Sequence, residues 1–248
     1  MSNAGQEAIF KPLLIIKAGS TFASIRKNHG DFEDWFVQRI EPLGLKCRIV
    51  EPPAGEELPD WSEVSGALVT GSPAMVTDRE AWSEGTATWL KEAVGRGIPI
   101  LGVCYGHQLL AHALGGKVDY HPQGREIGTW PVELGPYARS DQLFQDFPGQ
   151  FMAHLTHAQS VVELPEGAQL LAATAFEPCQ AFRVGDWAWG VQFHPEFNAQ
   201  IMREYVEAFA PKLREEGKSP EQLLAAVEET PQAHALLERF AAIVMGKL

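Results

Sequence analysis

The most informative segment of the sequence is Pro99-Ile100-Leu101-Gly102-Val103-Cys104-Tyr105-Gly106-His107-Gln108. Its apolar run up to Val103 predicts a buried strand, and the segment that follows, ending at Leu114, predicts a helix. The spacing Gly-x-Cys-x-Gly is a cysteine version of the nucleophile elbow, in which small neighbours allow a sharp turn between strand and helix. A helix N-terminus directly behind the sulfur favours the thiolate. The stretch therefore predicts a nucleophile at Cys104.

A partner for this cysteine is found in Gly190-Val191-Gln192-Phe193-His194-Pro195-Glu196. An apolar strand ends here in a histidine and a carboxylate two positions apart, which point to the same side of an extended chain. Pro195 favours that extension, because the residue before a proline is restricted to the β and polyproline regions. His194 can then take the proton of Cys104 while Glu196 orients the imidazole.

Together these two motifs resemble those of the class I glutamine amidotransferase family, the triad-type glutaminases found in GMP synthetase, anthranilate synthase and carbamoyl phosphate synthetase. The resemblance covers roughly residues 13 to 200. It implies hydrolysis of the glutamine side-chain amide through a γ-glutamyl thioester on Cys104, with His194 as base and Glu196 as its orienting carboxylate. It implies no metal and no organic cofactor.

Other cysteines and histidines in the chain lack such a setting. A cysteine in an apolar strand is most often an inert buried thiol, and Cys47 and Cys179 are interpreted that way. His107 lies in the turn after the nucleophile but has no evident orienting group, so His194 is favoured as the base. His154 and His157 have the i, i+3 spacing of a helix face without acidic or cysteine companions, and no metal site is expected there.

The alternation of strand and helix patterns predicts an α/β fold with a doubly wound, mostly parallel open sheet of the flavodoxin type. Apolar runs at Leu13–Ile16, Lys46–Val50 and Gly66–Val69 precede the strand of the elbow, and Asp31 caps an amphipathic helix. Short β-like runs between residues 116 and 190 predict additional antiparallel strands, and helical patterns fill the C-terminal tail.

Ligands of such folds sit beyond the carboxyl ends of the strands, where Gly71, Cys104 and His194 all fall. The family resemblance implies that the backbone N–H groups of Gly71 and Tyr105 form the oxyanion hole, which receives the negative charge of the attacked amide oxygen. It also implies that Gln108 contacts the bound substrate, although an ordinary polar residue at a helix start is the alternative.

The segment from His154 to Val161 resembles the Ser-His-x-Asp-x-Val segment of GMP synthetase-like members, which helps to hold the amino-acid end of the substrate. Thr156 replaces the serine and Gln159 replaces the aspartate. Thr156 and His157 are the substrate-binding candidates from this segment.

Length and composition bound the domain organisation. A chain of 248 residues with 45% hydrophobic content can bury one substantial core. The expected division is a disordered N-terminus over residues 1–12, a class I glutamine amidotransferase domain over 13–210 and a C-terminal helical extension over 211–248. That extension could cover the core, mediate dimerisation or contact a partner, with the first as the default.

Charge and cysteine content restrict the location and the partners. Three cysteines without paired spacing argue against a disulfide framework and predict a cytoplasmic protein. No stretch resembles a signal peptide or a membrane span. The net charge is −12 and no basic cluster is interleaved with aromatics, so neither nucleic acid nor membrane is an expected partner.

Three functional hypotheses remain open. The first is a glutaminase whose ammonia passes to a separate synthetase or acceptor protein, because the chain contains neither a pyrophosphate loop nor a Walker A motif. The second is a stand-alone γ-glutamyl peptidase or hydrolase, which would use the same thioester with a different leaving amine. The third, a non-catalytic regulatory module, is disfavoured because nucleophile, base and orienter are all present.

Overall fold

A computed structural model describes residues 11–247 of the chain. The predicted disordered N-terminus lies outside the described residues except for its last two positions. The strands are β1 Leu13–Ile16, β2 Cys47–Val50, β3 Gly66–Val69, β4 Ile100–Val103, β5 Lys117–Tyr120, β6 Glu126–Leu134, β7 Gln150–His157, β8 Gln159–Glu163, β9 Gln169–Ala173, β10 Ala181–Val184 and β11 Ala188–Val191. The helices are α1 Ala23–His29, α2 Phe32–Ile40, α3 Ala81–Gly95, α4 Tyr105–Ala113, α5 Ala199–Glu215, α6 Pro220–Ala225 and α7 Pro231–Val244.

Nine of the described strands form one mixed sheet in the order β2-β1-β3-β4-β11-β10-β9-β6-β7. The first five of these are mutually parallel, and the remaining pairings are antiparallel. β5 and β8 form a separate antiparallel pair. The prediction of a doubly wound sheet with a parallel part and added antiparallel strands is confirmed.

The parallel strands β1, β3, β4 and β11 are buried along their whole length, which explains their continuous apolar sequences. Helix α2 begins as predicted at Asp31, whose carboxylate and that of Asp34 form a reciprocal capping box. Helix α1 was not predicted, because Phe22, the residue before its first turn, provides no side-chain cap and only Ile25 of the helix is buried.

Both faces of the sheet are covered. One face packs its β1 and β4 side chains against α2 and α7, and the other packs against α3 and α4. Helix α7 contributes Leu236, Leu237 and Phe240 to the same cluster as Leu13 and Leu101. The C-terminal helix therefore covers the core, as the default interpretation had it, whereas the domain boundary at residue 210 stays a prediction. Helix α5 continues across that position to Glu215.

His154 and His157 belong to strand β7, so their i, i+3 spacing does not place them on one face of a helix. Within residues 11–247, no group of three or more His, Cys, Asp or Glu side chains is placed to hold a metal ion. No helix in the described part of the chain is long and apolar enough to cross a membrane.

Candidate active site

The turn at Cys104 joins β4 to α4 and has an unusual backbone. Cys104 is the residue before the first turn of α4, with φ 52° and ψ −100°, a region that costs a non-glycine residue on the order of 1–3 kcal/mol. A Cβ on Gly102 would lie 2.3 Å from the Gly106 carbonyl oxygen, and one on Gly106 would lie 2.4 Å from that of Val69. Glycines at both positions are therefore required for the turn.

The predicted base and its orienter form a buried pair. His194 Nδ1 donates a hydrogen bond to Glu196 Oε1 over 2.7 Å, and both side chains are at most 2% exposed. Burial alone would lower the pKa of His194, but the charges of Glu196 and Cys104 outweigh it and raise this pKa above its ordinary value. The ring also stacks on Phe197, with centroids 4.1 Å apart.

The backbone around this pair is held by three other elements. The His194 N–H donates to the carbonyl oxygen of His154 in β7 over 2.8 Å. His234 Nδ1 in α7 donates to the Pro195 carbonyl oxygen over 2.7 Å. Arg39 in α2 donates through Nε to the Glu196 carbonyl oxygen and through Nη2 to His234 Nε2, over 3.3 Å and 3.1 Å.

These contacts fix the ionisation of His234, since its Nε2 must be unprotonated to accept from Arg39. Burial and the charge of Arg39 lower the pKa of His234, which agrees with a neutral ring. Sequence reasoning missed His234, Arg39 and the role of His154, because no local pattern links positions so far apart in the chain.

The two predicted oxyanion donors lie at the start of α4 and just after β3. Tyr105 is the first residue of α4, so its N–H has no acceptor within the helix. Its hydroxyl bonds to Ser83 over 2.6 Å, and burial raises the pKa of Tyr105 to about 12. A Cβ on Gly71 would lie 3.1 Å from His194 Cε1 and 3.3 Å from Phe32 Cε1. The Gly71 backbone therefore packs directly against the His194 ring.

The predicted substrate-binding residues Gln108, Thr156 and His157 line the same cavity as Cys104. Gln108 Nε2 donates to the Gln159 carbonyl oxygen over 2.7 Å. The Thr156 carbonyl oxygen accepts from the Cys104 thiol over 3.8 Å.

His157 is fully engaged within the protein. Its Nδ1 bonds to the Gln159 carbonyl oxygen and its Nε2 to Glu126 Oε2, each over 2.9 Å. Neither ring nitrogen is left for a ligand. Glu126 also accepts from Thr174 and Gln180, so this network stabilises the cavity wall.

His107 lies away from the cavity. It is buried against Phe182, with ring centroids 4.9 Å apart, and burial lowers the pKa of His107 to about 3. The ring is therefore neutral at ordinary pH and packs in the interior.

A cavity of about 480 Å³ opens in front of Cys104 and His194. Besides residues predicted from the sequence, it is lined by side chains that sequence reasoning missed, which are Ser20, Thr21, Phe22, Phe32, Ser72, Pro73, Ala74, Met75, Arg125, Tyr205 and Phe209. The aromatic members come mainly from helix α5 and from the segment before α1. Their distance from both motifs in the sequence explains why no signal indicated them.

A comparison with known protein families agrees with this fold and with this arrangement of side chains. The family model described as glutamine amidotransferase class-I matches residues 25–212. The chain belongs to the class I glutamine amidotransferase family.

Two curated relatives are GMP synthases of the glutamine-hydrolyzing type. The one from Clostridium perfringens is 33% identical over 183 residues, which cover 71% of this chain and 34% of that protein. The one from Porphyromonas gingivalis (strain W83) is 36% identical over 161 residues, covering 64% of this chain and 30% of that protein. The chain thus spans about a third of the length of the curated relatives it matches.

Solved structures show the same fold. A glutamine amidotransferase from Thermotoga maritima superposes with a TM-score of 0.72 at 23% identity, covering 96% of this chain and 98% of that one. A glutamine amido transferase from Methylobacillus flagellatus gives a TM-score of 0.76 at 22% identity, covering 96% and 94%.

Proposed function

We propose that this protein hydrolyses the side-chain amide of glutamine, or of a γ-glutamyl compound, through a thioester on Cys104. The observation that carries the proposal is the buried His194–Glu196 pair, whose imidazole lines one cavity with a cysteine on a strained strand-to-helix turn. A purely structural cysteine would need neither the strained backbone nor an imidazole with an orienting carboxylate.

In the proposed reaction, Cys104 Sγ gives its proton to His194 and attacks the γ-carbonyl carbon, and the N–H groups of Tyr105 and Gly71 stabilise the charge that develops on the oxygen. His194 passes this proton to the nitrogen, the C–N bond breaks, and ammonia leaves. Water then attacks the γ-glutamyl thioester while His194 accepts a proton from the water; the C–S bond breaks, glutamate is released, and His194 returns the proton to Cys104 Sγ. Glu196 holds the imidazole in position throughout.

The fate of the ammonia belongs to the same proposal. The relatives named GMP synthase are about three times as long as the segment they share with this chain. We propose that the ammonia passes to a separate acceptor protein, as a synthetase component would require, with simple release as the alternative.

Release of ammonia and glutamate from glutamine tests this proposal. We expect the Cys104→Ala variant to lose at least about a thousandfold in turnover, because no other group can form the thioester. Cys47→Ala is the matched control, since burial raises the pKa of Cys47 to about 12 and keeps this thiol inert. Retained glutamine hydrolysis by Cys104→Ala would contradict the assignment.

A second candidate is the γ-glutamyl peptidase, which a specific observation favours. The cavity of about 480 Å³ has the size of sites that take drug-sized ligands, and Phe22, Tyr205 and Phe209 offer an apolar wall to a larger leaving amine. Comparing turnover of glutamine with that of γ-glutamyl dipeptides separates the two. Cleavage of dipeptides with no release of ammonia from glutamine would select the peptidase.

A further inference from the structure

The side chains that line the cavity include one fixed positive charge and no carboxylate among the described residues. Among the described residues that line it, Arg125 is the one lysine or arginine, and no aspartate or glutamate is present. A glutamine molecule carries both an α-carboxylate and an α-ammonium group. The lining thus offers a fixed counter-charge to the first of these groups and none to the second.

Within the described residues, the Arg125 guanidinium contacts an aromatic ring but forms no ion pair. Its Cζ lies 4.2 Å from the centroid of the Phe209 ring, and its Nε is buried without a hydrogen-bond partner in the described structure. Burial lowers the pKa of Arg125, opposed by the charges of Glu216 and Cys104, but a guanidinium remains charged at any physiological pH. A partly buried, unpaired cation beside a nucleophile is a site for an anion.

The carboxylates behind the cavity wall are already paired. Glu126 bonds to His157 and Glu196 to His194. Asp31 accepts from the Thr21 N–H over 2.8 Å and lies 3.3 Å from Lys17 Nζ. None of these groups lines the cavity, so none is available to a substrate ammonium.

Gln159 stands where the family resemblance places an aspartate. It is 1% exposed and lines the cavity. Its amide bonds to Thr77 Oγ1 over 2.6 Å through Nε2, and its Oε1 has no partner within the described residues. A neutral amide in this position can hydrogen-bond to an uncharged N–H but cannot neutralise an ammonium group.

We propose that Arg125 binds the α-carboxylate of the substrate and that Gln159 faces an uncharged α-nitrogen, so that the preferred substrates are α-N-acylated glutamines. An N-acylglutamine and the C-terminal glutamine of a peptide share this chemistry. Acylation removes the ammonium charge that the Arg125 guanidinium would repel, and the apolar side chains of Phe22, Tyr205 and Phe209 receive the acyl group. This inference rests on the proposed function, because the reacting γ-amide is the same.

Binding to the Cys104→Ala variant tests recognition without turnover. Calorimetry would compare three probes, which are glutamine, N-acetylglutamine and N-acetylglutamine α-amide. We expect N-acetylglutamine to bind at least about tenfold more tightly than glutamine, and loss of its carboxylate in the α-amide to weaken binding by about tenfold to a hundredfold. Equal or tighter binding of free glutamine would overturn the proposal.

Variants of Arg125 and Gln159, made in the Cys104→Ala background, show whether these two side chains cause the binding preference. Arg125→Gln should abolish the preference for N-acetylglutamine over its α-amide, whereas Arg125→Lys should retain part of it. Gln159→Glu should shift the preference toward free glutamine by at least about tenfold, because it supplies the missing carboxylate. Arg48→Gln, which removes only an exposed ion pair with Glu63, is the control. An Arg125→Gln variant that folds and keeps the preference would contradict the assignment.

Turnover by the unmodified protein separates this inference from the proposed function. Cleavage of glutamine with rejection of N-acetylglutamine would overturn the inference and leave the proposed function intact. Tight binding of N-acetylglutamine without cleavage of any γ-amide would support the recognition and contradict the proposed function.

Discussion

At the scale of single residues, the site combines a proposed nucleophile on a strained backbone, Cys104, with a proposed base, His194, that is paired with Glu196. Cys104 occupies a backbone region that glycine tolerates far better, and the neighbouring glycines leave no room for a side chain. Such strain persists only where the surrounding structure enforces it. At Cys104 the enforcing elements are β4 and α4, whose junction leaves the sulfur at the cavity.

The His194–Glu196 pair predicts a specific pH dependence of stability. Because the pKa of folded His194 is raised, the stabilisation is fully present below the unfolded value of about 6.5 and is lost as pH rises through the folded value. Glu196→Gln removes this contribution. Urea unfolding from about pH 5.5 to 9.5 should show a wild-type advantage in the free energy of unfolding that shrinks as pH rises. An advantage that grows with pH would contradict the ion pair.

Gly71 provides a steric test of the proposed base, His194. Its φ is not in the left-handed region, so alanine is compatible with the backbone, but the new Cβ would lie 3.1 Å from His194 Cε1. We expect Gly71→Ala to lower kcat by about tenfold or more by displacing the ring. Gly85→Ala is the matched control, because Gly85 lies in α3 and a Cβ added there would have no neighbouring atom within 4 Å. Unchanged kcat in Gly71→Ala would contradict this packing.

At the scale of elements, residues 194–196, which follow β11, are held in place by contacts from α2, α7 and β7. Helices α2 and α7 supply Arg39 and His234, which hold the carbonyl groups of Pro195 and Glu196. Strand β7 holds the His194 N–H. The C-terminal helix therefore contributes both to the core and to the positioning of the proposed catalytic pair, His194 and Glu196.

His234 can be tested as a positioning residue. We expect His234→Ala to lower kcat by about tenfold with little change in KM, because substrate contacts remain while the Pro195 carbonyl loses its donor. His234→Asn should recover part of the loss, since its amide N–H can replace the Nδ1 donor. Gln232→Ala, at an exposed position of the same helix, is the control. A change confined to KM, or no rescue by asparagine, would contradict a positioning role.

At the scale of the whole molecule, the features that could be predicted are those formed by residues close together in the sequence. The elbow, the His-Pro-Glu motif and the parallel strands each have a continuous sequence signature, and the structure brings Cys104 and His194 to one cavity. The cavity wall has no such signature. Arg125 precedes β6, Phe209 lies in α5, and their contact at 4.2 Å depends on the packing of distant elements.

The histidines of β7 show that residue spacing alone does not identify the element on which two side chains lie. An i, i+3 spacing is meaningful only if the segment is a helix, and the alternation of buried residues that would identify a strand is hidden because β7 is buried on both faces over most of its length. The pairing of β7 with β6 over eight residues determines the outcome. That pairing is a tertiary feature, which the sequence of one segment does not reveal.

Whether Cys104 is a substrate-recognising nucleophile can be measured by covalent labelling with a glutamine analogue that carries a chloro-ketone electrophile, mapped by peptide mass spectrometry. We expect one adduct, on Cys104, that excess substrate γ-amide prevents and that His194→Ala greatly slows. Labelling of Cys47 or Cys179 in preference to Cys104, or labelling of Cys104 at the same rate in His194→Ala, would contradict a substrate-recognising nucleophile at this turn.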